Sequence, residues 1–133
     1  MATGTFEVKL GPQAPHPGVG DPAVARMSID KTFDGDLSGT AKGEMLAVRT
    51  DVEGSAGYVA LERVAGTLQG HSGTFVLQHT GVMDRGAPKL TVTVVPDSGT
   101  DELTGLTGSM KIDVVDGSHT YALDYSLPER PAD

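Results

Sequence analysis

Apolar and polar residues alternate with a period of two along most of this chain. The alternation is strict in Thr3–Leu10 and resumes in Ala23–Phe33, where Lys31 falls on the apolar face. Glycine-rich turns separate such runs, and no run has the 3.6-residue repeat of an amphipathic helix. The pattern therefore predicts about eight antiparallel strands that follow one another by hairpins.

Six further segments carry the same alternation or a glycine-interrupted form of it. They are Leu37–Thr50, Tyr58–Thr67, Thr74–Met83, Leu90–Val95, Gly108–Val115 and Thr120–Leu127. Between the first two strands, residues 11–23 contain four prolines and three glycines, which predicts a loop. Residues 96–106 allow one short helical turn, and residues 128–133 are expected to be a flexible tail.

In two strands, alternation alone does not decide which face points inward. For Leu37–Thr50 the inward set is either Glu44, Leu46 and Val48 or Met45, Ala47 and Arg49. In Tyr58–Thr67, Glu62 and Arg63 must lie on opposite faces, so one of them is expected inside or at a rim.

Composition favours a single all-β domain spanning residues 1–133. The chain contains 18 glycines, its aromatic content is 5%, and it has no tryptophan, so many turns and an aliphatic core are expected. A sheet that keeps pairing neighbouring strands must close or protect its edges. We therefore predict one closed antiparallel barrel, whose interior is filled by side chains or holds a ligand.

Charge and composition exclude several classes of function. The net charge of −8 and the scattered basic residues make nucleic acid and anionic lipid unlikely partners. No cysteine is present, so thiol chemistry and cysteine-based metal sites are excluded. The four histidines lack metal-ligand spacing, and we expect neither a metal nor another cofactor. Without a leader pattern or an apolar run of about 18 residues, a cytoplasmic protein is expected.

Four segments together resemble one uncharacterised bacterial family, a domain of unknown function. They are TGTFEV (Thr3–Val8), KTFDGDLSG (Lys31–Gly39), GYVALERVAGTLQGHSGTFVLQHTG (Gly57–Gly81) and TVVPDSGTDELTGLTG (Thr93–Gly108). The resemblance implies a β-barrel similar to allene oxide cyclase and broadly lipocalin-like. Wider relatives of that barrel include plant allene oxide cyclases, dirigent proteins and natural-product cyclases, which hold an apolar substrate inside.

The chain departs from the family pattern at two places. Val92 stands where the family usually has tryptophan, which would enlarge the interior unless neighbours fill the space. Asp97 and Asp101 replace glycines in the loop that follows. We expect an apolar cavity that binds a small hydrophobic molecule and is lined by Val92, Leu90, Phe75, Leu77, Met27, Tyr58 and Tyr121.

Three ionisable residues are the candidates for chemistry. His79 lies on the apolar face of its strand, where it is either a satisfied core imidazole or a general acid–base group. Counting outward from a hairpin turn near Ser72 places His79 beside Glu62 and Arg63. That charged pair is either a structural ion pair or part of the site.

Three functions therefore remain open. The first is a cofactor-independent cyclase or isomerase that holds a reactive conformer and makes one acid–base contact. The second is a non-catalytic carrier or sensor with the same pocket. The third is a structural homo-oligomer whose barrels are packed solid.

Overall fold

The computed structural model describes residues 1–14, 18 and 20–128. Its eight strands form one closed barrel in which each strand pairs with its neighbours in chain order and β1 pairs with β8, all antiparallel. The strands are β1 (Ala2–Gln13), β2 (Ala25–Gly35), β3 (Leu37–Arg49), β4 (Ala56–Leu68), β5 (His71–Asp84), β6 (Ala87–Val94), β7 (Thr107–Val115) and β8 (Ser118–Ser126). The predicted all-β barrel is confirmed.

Two predicted boundaries change. β1 continues to Gln13, so Gly11, Pro12 and Gln13 belong to the strand and not to the loop predicted for residues 11–23. Their partners in β2 continue the same ladder as far as Arg26. Of the predicted tail at 128–133, all but Pro128 lies outside the described residues.

The β4–β5 hairpin turns at Gln69–Gly70 and not near Ser72. Both residues have positive φ, 44° and 89°, as a two-residue hairpin turn requires. Leu68 therefore pairs with His71, and Glu62 opposes Leu77. The predicted register was thus wrong, because the turn was centred too late in the chain.

One end of the barrel, the closed end, is packed solid. The loop between β6 and β7 forms the short 3₁₀ turn Asp101–Leu103, as expected, and Leu103 and Leu106 are fully buried against the barrel. Further fully buried side chains are Phe33, Leu37, Val64, Leu68, Phe75, Leu77 and Leu123. Large apolar side chains thus pack closely in the interior at this end.

Tyr121 also belongs to the closed end. Its hydroxyl accepts a hydrogen bond from the Leu37 amide at 2.9 Å and lies 3.1 Å and 3.0 Å from the carbonyl oxygens of Asp34 and Leu37. Burial raises the pKa of this hydroxyl. Tyr121 thus ties β8 to the β2–β3 turn.

The opposite end, the open end, has a lower wall on one side. β6 and β7 share only two register pairs, Val92 with Met110 and Thr93 with Ser109. Beyond them Leu90, whose side chain continues the inward face of β6, remains 41% exposed. The barrel is therefore least enclosed where β6 faces the short β7–β8 hairpin.

No helix in the described part of the chain is long and apolar enough to cross a membrane.

Candidate functional site

A cavity of about 420 Å³ occupies the open end. Inward-facing side chains from β1 to β6 supply most of its wall, and they are predominantly apolar. They are Leu10, Met27, Met45, Ala47, Arg49, Ala56, Tyr58, Met83, Pro88 and Leu90. Several of these positions carry small residues, which leave the interior open. At the closed end, phenylalanine and leucine side chains fill the corresponding space.

Three residues of the predicted lining lie on this wall, and four do not. Met27, Tyr58 and Leu90 line the cavity. Phe75, Leu77, Val92 and Tyr121 are instead buried in the core cluster. Val92 is only 1% exposed, so its neighbours fill the space that a smaller residue was expected to open.

Sequence reasoning missed most of the β3 wall. Met45, Ala47 and Arg49 point inward, which was one of the two faces left open. On the other face, Glu44 points outward and forms a bidentate ion pair with Arg26, although Val48 at the end of the strand also borders the cavity. Glycines interrupt the alternation of β3, so the sequence did not show which of its two faces points inward.

Beneath the cavity, three ionisable side chains converge in the barrel interior. Glu62 Oε1 lies 3.0 Å from Lys31 Nζ and 3.1 Å from His79 Nε2. The Glu62 side chain is fully buried, and those of Lys31 and His79 are 7% and 5% exposed. We call Lys31, Glu62 and His79 the buried triad. It links β2, β4 and β5, and none of its members lines the cavity.

The triad keeps Glu62 ionised. Burial acts to raise the pKa of Glu62, but the hydrogen bond with His79 and the charge of Lys31 together outweigh it, so the pKa lies below its ordinary value. An ionised carboxylate only accepts hydrogen bonds, so His79 presents an Nε2–H to it. The second oxygen, Oε2, is buried and has no hydrogen-bond partner among the described residues.

Aromatic rings complete the surroundings of Lys31. Its ammonium lies 4.8 Å from the centroid of the Phe6 ring and 6.0 Å from that of Phe33. These faces offer a cation a favourable electrostatic contact in place of water. The prediction that Lys31 shares the apolar face is therefore confirmed, and its charge is compensated within the barrel.

Arg63 is not part of this cluster. It lies on the outer face of β4, is exposed, and donates to Thr74 Oγ1 at 3.4 Å. The expected His79–Glu62 contact forms despite the shifted register, because His79 sits two residues along β5 from the partner of Glu62. Of the two charged neighbours, only Glu62 faces the interior.

Tyr58 lies between the cavity and the triad. A Cβ atom placed on Gly81 would come 2.1 Å from Tyr58 Cε1, so the ring packs directly against the glycine backbone of β5. Burial raises the pKa of the Tyr58 hydroxyl, and the charge of Glu62 raises it further. The tyrosine thus lines the cavity within the electrostatic reach of the carboxylate.

In the described residues, no three histidine, aspartate or glutamate side chains are grouped so that they could hold a metal ion.

Comparison with known proteins places the chain in a family. Residues 2–125 match the family described as "Protein of unknown function (DUF3224)". The chain belongs to the DUF3224 family. A solved DUF3224 structure from Shewanella oneidensis MR-1, described as a protein with unknown function, is 47% identical and superposes with a TM-score of 0.88 over 96% of each chain. No curated protein is significantly similar in sequence.

For this DUF3224 protein we predict that Glu62→Gln lowers the free energy of unfolding by about 3–5 kcal/mol, because it leaves the Lys31 ammonium buried without a counter-charge. Urea unfolding followed by circular dichroism measures the change. The control is Glu44→Gln, since its ion pair with Arg26 is exposed to solvent and such pairs contribute little to stability. Equal losses in the two variants would contradict a stabilising role for the triad.

The same carboxylate predicts a pH dependence. Because the folded state lowers the pKa of Glu62, its contribution is fully present above the unfolded-state pKa of about 4.3 and is lost as the pH falls through the folded-state pKa. Stability of the native protein should therefore fall more steeply below about pH 4.3 than that of Glu62→Gln. Parallel curves for the two proteins would show that Glu62 has the same pKa in both states.

Proposed function

We propose that this protein binds a small, mainly apolar molecule in the open end of its barrel. The observation that carries the proposal is the cavity of about 420 Å³, because ligand sites are typically concave, apolar and provided with few polar groups. A volume of this order is within the range of small-molecule sites. A barrel that served only as a solid building block of an oligomer would not need it.

The composition of the wall supports a binding role. Three of the five methionines, Met27, Met45 and Met83, line the cavity. Methionine is flexible and polarisable, so such a wall adapts to the shape of an apolar ligand. A carrier or sensor is the simplest protein of this kind. The cytoplasmic location of this protein and its assembly into a homo-oligomer remain predictions.

A cofactor-independent cyclase or isomerase is the second candidate. The ionised Glu62 with its unpartnered Oε2 favours it, because a carboxylate with a free lone pair can accept a proton or a hydrogen bond. Glu62 and His79 would be its acid–base groups. Since neither lines the cavity, this chemistry requires the floor around Tyr58 to rearrange when the ligand binds.

The binding proposal predicts that filling the cavity weakens ligand binding. Ala47→Trp places a large ring inside the wall of β3, and we expect it to weaken binding of the neutral dye N-phenyl-1-naphthylamine by roughly tenfold or more, about 1.4 kcal/mol for each factor of ten. Dye fluorescence during a protein titration gives the dissociation constant.

Ala65→Trp is the matched control. Ala65 is exposed on the outer face of β4, so the same substitution there leaves the cavity open. Circular dichroism establishes that both variants remain folded. Unchanged dye binding in folded Ala47→Trp, or no dye binding by the native protein, would refute the location or the function.

A further inference from the structure

Among the described residues that line the cavity, Arg49 is the charged one whose position in the strand alternation belongs to the inward face, and its side chain is exposed at the end of β3. Arg49 is the last residue of β3. It lies two residues beyond Ala47, and Ala47 pairs with Tyr58. Two residues of a strand span about 7 Å, so the arginine stands farther toward solvent than the tyrosine. The apolar cavity thus has a phenol group near its floor and a guanidinium group at its mouth.

Within the described part of the chain, Arg49 forms no ion pair and its guanidinium group no hydrogen bond. The β3–β4 loop carries Asp51 and Glu53. Arg49 and Glu53 also line an outer hollow together, yet neither acidic residue forms an ion pair with Arg49. Arg26 on the neighbouring strand is, by contrast, fully engaged by Glu44. In a chain with a net charge of −8, an arginine without an acidic partner beside an apolar cavity is distinctive.

A second basic residue borders the cavity. Lys89 of β6 lies on the opposite side of the mouth, although its position in the strand alternation directs its side chain outward. Among the described residues, Arg49 and Lys89 are the charged residues that line the cavity, and both are basic.

We propose that the ligand is an apolar anion, with its hydrocarbon body in the cavity and a carboxylate, sulfonate or phosphate group on Arg49. Guanidinium binds such groups through two parallel hydrogen bonds, and partial desolvation at an apolar wall strengthens the pair. This inference rests on the proposed binding function, since it names the chemistry of the molecule that the cavity takes.

Two dyes with one skeleton test it. 8-Anilino-1-naphthalenesulfonate is N-phenyl-1-naphthylamine with an added sulfonate, so the ratio of their dissociation constants isolates the anionic group. We expect the native protein to bind the sulfonate about two- to fivefold more tightly, as a partly exposed charge pair allows. Arg49→Gln should abolish this preference, so that the ratio of the two dissociation constants falls to about one.

The control variant is Arg63→Gln, which removes the same charge from the outer face of β4. It should retain the preference for the sulfonate, and high salt should reduce that preference in the native protein. Equal affinities for the two dyes, or a preference that survives Arg49→Gln, would overturn the inference while the binding function stands. If neither dye binds, the proposed function itself fails.

Discussion

A single buried carboxylate organises the interior of this barrel. Glu62 compensates the buried charge of Lys31 and forms a hydrogen bond with His79, so three strands are joined by buried polar side chains. Burying these charges costs several kcal/mol each unless they stay paired in good geometry. The register of β2, β4 and β5 must therefore preserve the contact, because a shift of one residue would turn the groups to the outside.

The triad also separates two differently built halves. Toward the closed end, Phe33, Leu37, Phe75 and the leucines of the β6–β7 loop fill the interior completely. Toward the open end, alanine and glycine replace such side chains, and β6 and β7 separate after two register pairs. The cavity is the space that results, with Tyr58 at its inner limit. Packing thus concentrates buried apolar contacts in one half and leaves an open cavity in the other.

The sequence predicted the closed barrel and, for most strands, which residues face inward. It predicted less well how far along the barrel axis each residue lies. Alternation placed Lys31 and His79 inside correctly, because parity depends only on the two-residue repeat. It could not show that Val92 lies in the packed half and Ala47 in the open half, since that depends on the stagger of all eight strands. The predicted β4–β5 register was wrong because the hairpin turn was placed too late in the chain. An error in the turn position shifts every residue pair of the hairpin.

The candidate site is defined by the space that the packed side chains leave open and not by a sequence motif. The DUF3224 family is one of unknown function, and so is its 47% identical member from Shewanella oneidensis, which has the same fold. Catalysis by Glu62 or His79 would require access that the floor of the cavity does not give. Binding requires only the open half as it stands, and is the more economical account.

The methionine methyl groups test this account most directly. Labelled with carbon-13, the five methionines report separately on the cavity (Met27, Met45 and Met83), the packed core (Met110, 4% exposed) and the exposed N-terminus (Met1). Titration with N-phenyl-1-naphthylamine, followed by nuclear magnetic resonance, should shift the three cavity methyl signals. Nuclear Overhauser effects should then be observed between the dye and these methyl groups. Signals of Met110 and Met1 should stay in place. Perturbation centred on Met110, or no contact between the dye and any of the three cavity methionines, would contradict a binding site in the open half of the barrel.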